Sequence, residues 1–415
     1  MLSTQEKSWI LYDWANSAYS IAITTAILPI YFKDVVSKGM SSHLSTAYWG
    51  YGTTISVILV AILAPILGTI ADYKNYKKKF FVLFLIIGVL FTALLSVVGE
   101  GAWRLCLALY VLSSIGFSCA NIFYDSFLLD ITDTKRMDWI SASGYAWGYL
   151  GSTIPFFFSI AIILKPSIIG LSSSIVATQL SFIITALWWL VFSLPFIKNS
   201  SQKYYVKASS HPVKDGFQRL LNTIRDVGKY REAAIFLLAY FLYIDGVDTI
   251  IRMAAIYGRD VGVGAKELLL ILLVVQLVAF PFALLYGRLA KNFSAKAMLL
   301  SGIVIYIFIT LFAYSMKTTL HYWILALLVA TSQGGIQALS RSCFGKLIPK
   351  DRSAEFFGFY NVFGKFAAII GPFLVALLTH ITRNPRIGIL SLLFLFVAGG
   401  LLLLKVPLAL TPQPN

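Results

Sequence analysis

Gly68-Thr69-Ile70-Ala71-Asp72-Tyr73-Lys74, followed by Lys77-Lys78-Lys79, joins the second apolar stretch of the chain to the third. A degraded copy, Gly287-Arg288-Leu289-Ala290-Lys291 and then Lys296, begins 219 positions later. Gly68 lets two helices approach closely, Asp72 ends its helix in a sharp turn, and the lysines anchor that turn at the membrane surface. A small residue, an apolar step and a charged turn, given once per half, mark a duplicated membrane bundle. A second repeat runs in nearly the same register. Asp130-Ile-Thr-Asp-Thr-Lys-Arg-Met-Asp138 leads into Gly144, Gly148, Gly151 and Pro155-Phe156. Leu347-Ile-Pro-Lys-Asp-Arg352 leads into Gly358, Gly364, Gly371 and Pro372-Phe373, and the two prolines are 217 positions apart.

The 415 residues are 58% hydrophobic and 13% charged, with a mean hydropathy of +0.80. That balance excludes a soluble globular domain and suits a polytopic membrane protein. About twelve apolar stretches of roughly 18–25 residues are long enough to span a bilayer. Their centres lie near residues 20, 58, 90, 113, 152, 185, 244, 277, 305, 333, 367 and 397. The runs are continuous rather than alternating, which predicts helices and not a barrel. The fold class is therefore an all-α polytopic protein with two pseudo-symmetric six-helix halves, 1–197 and 232–415, joined by a linker at 198–231.

The formal net charge of +16 is concentrated in loops on one side of the predicted spans. The positive-inside rule then places both termini in the cytoplasm, with the excess facing anionic lipid rather than nucleic acid. Cys106, Cys119 and Cys343 fall inside spans without metal-ligand spacing, so packing is expected of them and neither a disulfide nor a metal. The first stretch is interrupted by Asp13 and Asn16 and lacks a basic leader or a small-residue cleavage site. It is expected to remain as the first span.

An ionised side chain at mid-bilayer costs at least ~2.5–3.5 kcal/mol, so each one should face a cavity or a partner. The polar residues fall in stripes. The first stretch carries Asp13, Asn16, Ser20 and Thr24, and the fourth carries Ser114, Ser118, Asn121 and Asp125. The seventh carries Asp245, Asp248 and Arg252, and the tenth Gln333, Gln337 and Arg341. The eleventh adds Asn361 and Lys365, and the fifth Ser141, Tyr145, Trp147 and Tyr149. Asp13, Asn16, Asn121, Asp125, Asp245, Asp248, Arg252, Gln333, Gln337, Asn361 and Lys365 are the candidate substrate-binding or coupling residues. Gly68, Asp72, Lys78, Gly287 and Arg288 form the candidate gating loops.

Most of these charges have two readings. Asp248 and Arg252, four apart on a helix, either neutralise one another or meet a substrate. Asp13 and Asp125 either cap their helices, pair with Arg136 or Arg341, or close an inner gate. Lys365 lies too deep to snorkel easily and is expected to oppose a substrate carboxylate or Asp245. The linker opens as a solvated stretch, Lys198-Asn-Ser-Ser-Gln-Lys-Tyr-Tyr205. Beyond it Val213, Phe217, Leu220, Leu221, Ile224 and Val227 recur at helical spacing, with Lys214, Arg219, Arg225 and Lys229 elsewhere. That pattern predicts an amphipathic helix, either on the inner leaflet or packed on the bundle.

The densest string is Ser8-Trp-Ile-Leu-Tyr-Asp-Trp-Ala-Asn-Ser-Ala-Tyr19. With Phe123-Tyr-Asp125, Ile140-Ser-Ala-Ser-Gly-Tyr-Ala-Trp-Gly-Tyr149, Ser332-Gln-Gly-Gly-Ile-Gln-Ala-Leu-Ser-Arg341 and Ala354-Glu-Phe-Phe-Gly-Phe-Tyr360, the chain resembles one branch of the major facilitator superfamily. This is the "unknown major facilitator" family, related to the fungal vacuolar effluxer of amino acids involved in autophagy. The resemblance covers essentially the whole chain. It implies a permease whose two six-helix halves rock about a central solute site, with the first helix of each triplet lining the path. The vacuolar relative implies export of neutral amino acids such as leucine or tyrosine. Lysines stand where the family's loop usually has arginines, which keeps the charge and loses bidentate pairing.

A secondary transporter working by alternating access is the leading expectation. A Gly-x-x-x-x-Gly-Lys loop is absent from the sequence, which argues against direct ATP drive. Buried carboxylates make proton coupling available, with an uncoupled facilitator as the alternative. A membrane-embedded enzyme would need a catalytic cluster, and His43, His211, His321 and His380 share no motif. A sensor or scaffold would need a large soluble domain or tail. The expected partners are a small-molecule substrate, the bilayer and protons, without a cofactor, for a monomer in the plasma membrane.

Overall fold

A computed structural model of the chain describes residues 2–207, 212–225, 227–260 and 263–408. Twelve helices among the described residues are long and apolar enough to cross a membrane. Spans 1 to 6 are Thr4–Val36, His43–Ala71, Tyr76–Val97, Trp103–Ile131, Met137–Leu164 and Ser174–Asn199. Spans 7 to 12 are Gly228–Arg252, Leu270–Phe293, Ala295–Ser315, Thr319–Leu347, Lys350–Thr382 and Arg386–Leu404. Each predicted centre falls inside one of them. The described residues hold no strand beyond one isolated parallel bridge, Tyr73 with Val206. His211 and the side chains of Val213, Ile224 and Val227 lie outside the described part.

Span 1 departs from the even helical stripe expected of it. It starts on a capping box, in which the Glu6 N–H donates to Ser3 Oγ at 3.1 Å and the Ser3 N–H donates to Glu6 Oε2 at 2.7 Å. The α-helix holds to Tyr19 and then widens to π-helix over Ser20–Thr25, with the Ala26 N–H donating to the Ile21 carbonyl at 2.9 Å. The cause is local. Pro29 has no N–H for the carbonyl of Thr25, and its ring crowds that carbonyl, so the preceding turn opens. The extra residue per turn shifts the register. Asp13 and Asn16 stay buried, while Thr24 is exposed.

The described residues form two compact units. The first comprises Met1–Ile131, Trp147–Leu220 and Lys350–Gly358. Within it span 3 packs most extensively on span 4, span 1 on span 6, and span 2 on span 4. The second comprises Thr132–Ala146, Leu221–Pro349 and Phe359–Asn415. Within it span 9 packs on span 10, span 7 on span 12, and span 8 on span 10. These are the first unit's pairs advanced by six spans. The duplication legible in the loops is thus present in the packing.

Aromatic residues of the Ser8–Tyr19 string build the first unit's core. Trp9 and Tyr124 stack at 4.5 Å, the Trp9 indole donates to the Tyr124 carbonyl at 3.0 Å, and the Tyr124 hydroxyl donates to the Trp9 carbonyl at 3.1 Å. Tyr12 packs edge-on against Phe81 and beside Phe196. The reciprocal pair locks spans 1 and 4, and each large ring removes roughly 150–250 Å² of surface from solvent. The three cysteines are free and buried, as small packing residues should be.

Candidate functional site

The loop after span 2 is the centre of a buried ionic network in the first unit. Asp72 closes span 2, and its two carboxylate oxygens accept the N–H groups of Ala354 at 2.8 Å and Glu355 at 3.0 Å. Those are orphan donors in the first turn of the helix Ser353–Thr382, so Asp72 caps that helix from another segment. Gly68 and Gly358 permit the approach, since a Cβ on either would collide with a carbonyl, of Ala354 or of Ala64. Glu355, itself fully buried, takes Arg352 at 2.7 Å and Arg219 of the linker helix Pro212–Arg225 at 3.2 Å. Arg219 also donates to the Thr69 carbonyl and lies 3.8 Å from Asp72. Burial pushes the Asp72 carboxyl up to about 7, against the opposing pull of Lys77, the two N–H donors and Arg219.

One sequence expectation is corrected here. Lys77 does not anchor the loop at the bilayer surface. It is fully buried, donating to Asp130 Oδ2 at 2.7 Å and Ser353 Oγ at 2.8 Å. The opening of the linker is solvated through its side chains, and its backbone is tethered. The N–H groups of Lys203 and Tyr204 donate to Asp130 Oδ1 at 2.8 and 3.0 Å, and the Val206 N–H donates to the Asp72 carbonyl at 2.9 Å. The side chains of Lys203, Tyr204 and Tyr205 still face outward, which is why the composition reads as solvated. Lys78, the lysine singled out from the loop, makes only a 3.2 Å bond to the Ser200 carbonyl. Hydropathy alone does not tell which of three adjacent lysines turns inward.

The second loop repeats the backbone logic and keeps basic residues but has no acid at the position of Asp72. A Cβ on Gly287 would meet Ala142 and Trp139 in the second unit, and the Arg288 guanidinium lies 5.7 Å from the Trp139 ring. Asp138 binds Lys346 at 2.5 Å and accepts the Ser342 hydroxyl at 2.6 Å. Arg341 donates to Ser141 Oγ at 2.9 Å and to its carbonyl at 3.1 Å, and lies 4.5 Å from the Tyr145 ring. At the loop's repeat spacing, however, Asp72 corresponds to Lys291 and Lys77 to Lys296. Lys296 spends its ammonium on the Leu404 and Val406 carbonyls. The acidic cap belongs to the first loop alone.

Within the spans the stripes become contacts. In the first unit the Asn16 side-chain amide donates to Asn121 Oδ1 at 3.1 Å, with Asp13 buried and Asp125 half-buried nearby in sequence. In the second, fully buried Asp245 accepts the Gly371 N–H at 2.8 Å and the Thr249 hydroxyl at 3.4 Å. Asp248 is half-buried and within electrostatic reach of both Arg252 on its own helix and Lys365 on span 11. The charge of Lys365 therefore acts on Asp248, while Asp245 is held by the Gly371 N–H and the Thr249 hydroxyl. Gln333 is buried, Gln337 half-buried, and Asn361 Oδ1 is a buried acceptor without a hydrogen-bond donor in the structure. Among the described residues, His, Cys, Asp and Glu form no cluster able to hold a metal.

The family model described as "Vacuole effluxer Atg22 like" matches residues 33–410. An uncharacterized MFS-type transporter, YxiO of Bacillus subtilis, is 53% identical over 97% of this chain and 95% of its own length. Autophagy-related protein 22 of Vanderwaltozyma polyspora is 26% identical over 86% of this chain and 76% of its own. The human organic anion transporter MFSD10 superposes with a TM-score of 0.74 at 12% identity, covering 97% of this chain and 100% of that one. The proton:xylose symporter XylE gives 0.70 at 11% identity, over 98% and 95%. These neighbours share the major facilitator fold. With helices, packing repeat and sequence in agreement, the chain belongs to the vacuole effluxer Atg22-like family of major facilitator transporters.

Proposed function

We propose that this transporter moves a zwitterionic neutral amino acid out of the cell by alternating access, with protons as the coupling ion. The observation that carries the reading is the charge set of the second unit, in which the charges of Arg252 and Lys365 act on Asp248. Asp245, Asp248, Arg252 and Lys365 together are neutral when all are ionised. A zwitterion can enter such a set by exchanging partners, its carboxylate to Lys365 and its ammonium to Asp248. No net charge is then stranded at depth, where stranding is expensive. The resemblance to the fungal vacuolar amino-acid effluxer supports an amino acid as cargo, and the buried carboxylates support a proton as driver. Gln333, Gln337, Asn361, Asn16 and Asn121 would supply neutral polar contacts. Residues 1–197 and 232–415 are the moving halves, joined through 198–231. The ionic network around Asp72 is the contact that alternating access must break and remake.

The experiment is counterflow in proteoliposomes. Labelled leucine or tyrosine should exchange, more slowly in Asp248→Ala and not at all in Lys365→Ala, and a pH gradient should drive net movement. The same purified protein should melt at higher temperature with the transported amino acid, as mass action requires. If no amino acid shifts the melt or exchanges, while another solute does both, the zwitterion assignment is wrong.

A further inference from the structure

Pro372 interrupts span 11. It supplies no N–H to the carbonyl one turn earlier, and its ring pushes that turn open. Gly371 immediately precedes it, and the Gly371 N–H is directed at Asp245 Oδ2 on span 7, 2.8 Å away. A Cβ at residue 371 would collide with the Thr249 hydroxyl and the Asp245 carboxylate, so glycine is what lets the backbone reach the acid. Thr249 adds a second donor to the other oxygen at 3.4 Å. A fully buried carboxylate thus grips one helix at its weakest turn.

The surrounding charges leave this grip to Asp245 itself. Asp248 and Arg252 act on it from its own helix, and Lys365 of span 11 acts on Asp248. Span 12, packed alongside span 7, has no titratable side chain from Leu392 to Leu404. Arg341 of span 10 is engaged with Ser141 and Tyr145. An ionised carboxylate accepts both donors as charge-assisted bonds, about twice as strong as neutral ones. A protonated one gives up an acceptor site and gains a donor.

We propose that Asp245 is a proton-binding site that sets the hinge of span 11: ionised, it holds Gly371 against span 7, and protonated, it releases the Gly371-Pro372 turn. The coupling step of transport would then be mechanical, a proton traded for freedom of one helix. The proposal needs no substrate, and its test is independent of the transport reading.

The test is hydrogen exchange of the full chain in lipid nanodiscs from pH 5 to 8, corrected for the intrinsic rate, on peptides covering residue 371. Protection there should fall about tenfold on acidification, the ratio expected when a charge-assisted bond becomes a neutral one. Peptides from span 9 should not respond. Asp245→Asn should show the low-protection value at every pH. Thr249→Val, which removes a donor from the ionised form only, should move the midpoint to higher pH. Protection that ignores pH in the unmodified protein would overturn the proposal, as would the same pH response in Asp245→Asn or an unmoved midpoint in Thr249→Val. Failure to transport any amino acid would remove the cargo assignment and leave the hinge result standing.

Discussion

Lys77 and Lys365 are both lysines drawn into an apolar chain, and the structure gives them different work. Lys77 is fully enclosed and answered by Asp130 and Ser353, so its charge is part of the fold. Lys77→Met should strand Asp130 and cost about 3–5 kcal/mol, the usual loss when one partner of a buried pair is removed. Adding Asp130→Asn should recover part of that, read as the melting temperature of the purified protein. If the single variant melts normally, the pair contributes nothing. Lys365 is only half-buried and shares Asp248 with Arg252. Lys365→Ala should therefore leave the melt within a few degrees and abolish exchange of the amino acid. Lys365→Arg should restore it only in part, because a planar fork does not replace a compact ammonium. Full exchange by Lys365→Ala would make this lysine a bystander.

The elements that surprise are the linker and the first helix cap. The linker helix buries Gly216, Leu220 and Thr223 and reaches inward through Arg219, while Phe217 and Leu221 stay exposed. Arg219→Ala should loosen it, seen as at least tenfold faster hydrogen exchange over 214–223. An unchanged rate would mean that apolar packing alone holds the helix. Asp72 gives the contact a pH dependence. Its folded carboxyl titrates at about 7, above its ordinary value of 3.8, so the folded state binds the proton more tightly. The stabilisation this provides is complete below the ordinary value and is lost as pH rises through about 7. The melting temperature should therefore fall between pH 5 and 8 more steeply than in Asp72→Asn. Equal slopes would place the titration elsewhere.

At the scale of the whole molecule, orientation is the first thing to test. Cysteines placed singly at Lys79 and Lys214 should be shielded from an impermeant reagent in intact cells, and those at Lys38 and Arg383 should be labelled. All four positions are exposed, and the native cysteines are buried. Reversed labelling would invert the topology. The sequence by itself determined the twelve spans and their duplication, because hydropathy and loop repeats are local and must be satisfied wherever the chain meets lipid. It also marked Asp245, Asp248, Arg252 and Lys365, because a charge inside an apolar run is conspicuous. What it did not carry was pairing. Which of Lys77, Lys78 and Lys79 turns inward depends on where Asp130 and Ser353 come to rest, 53 and 276 positions away. That Asp72 caps a helix beginning at Ser353, and that the Gly371 N–H reaches Asp245 across 126 positions, follow from the folded backbone. Only tertiary structure decided these, because a hydrogen bond is fixed by distance and angle between groups that sequence separation does not specify.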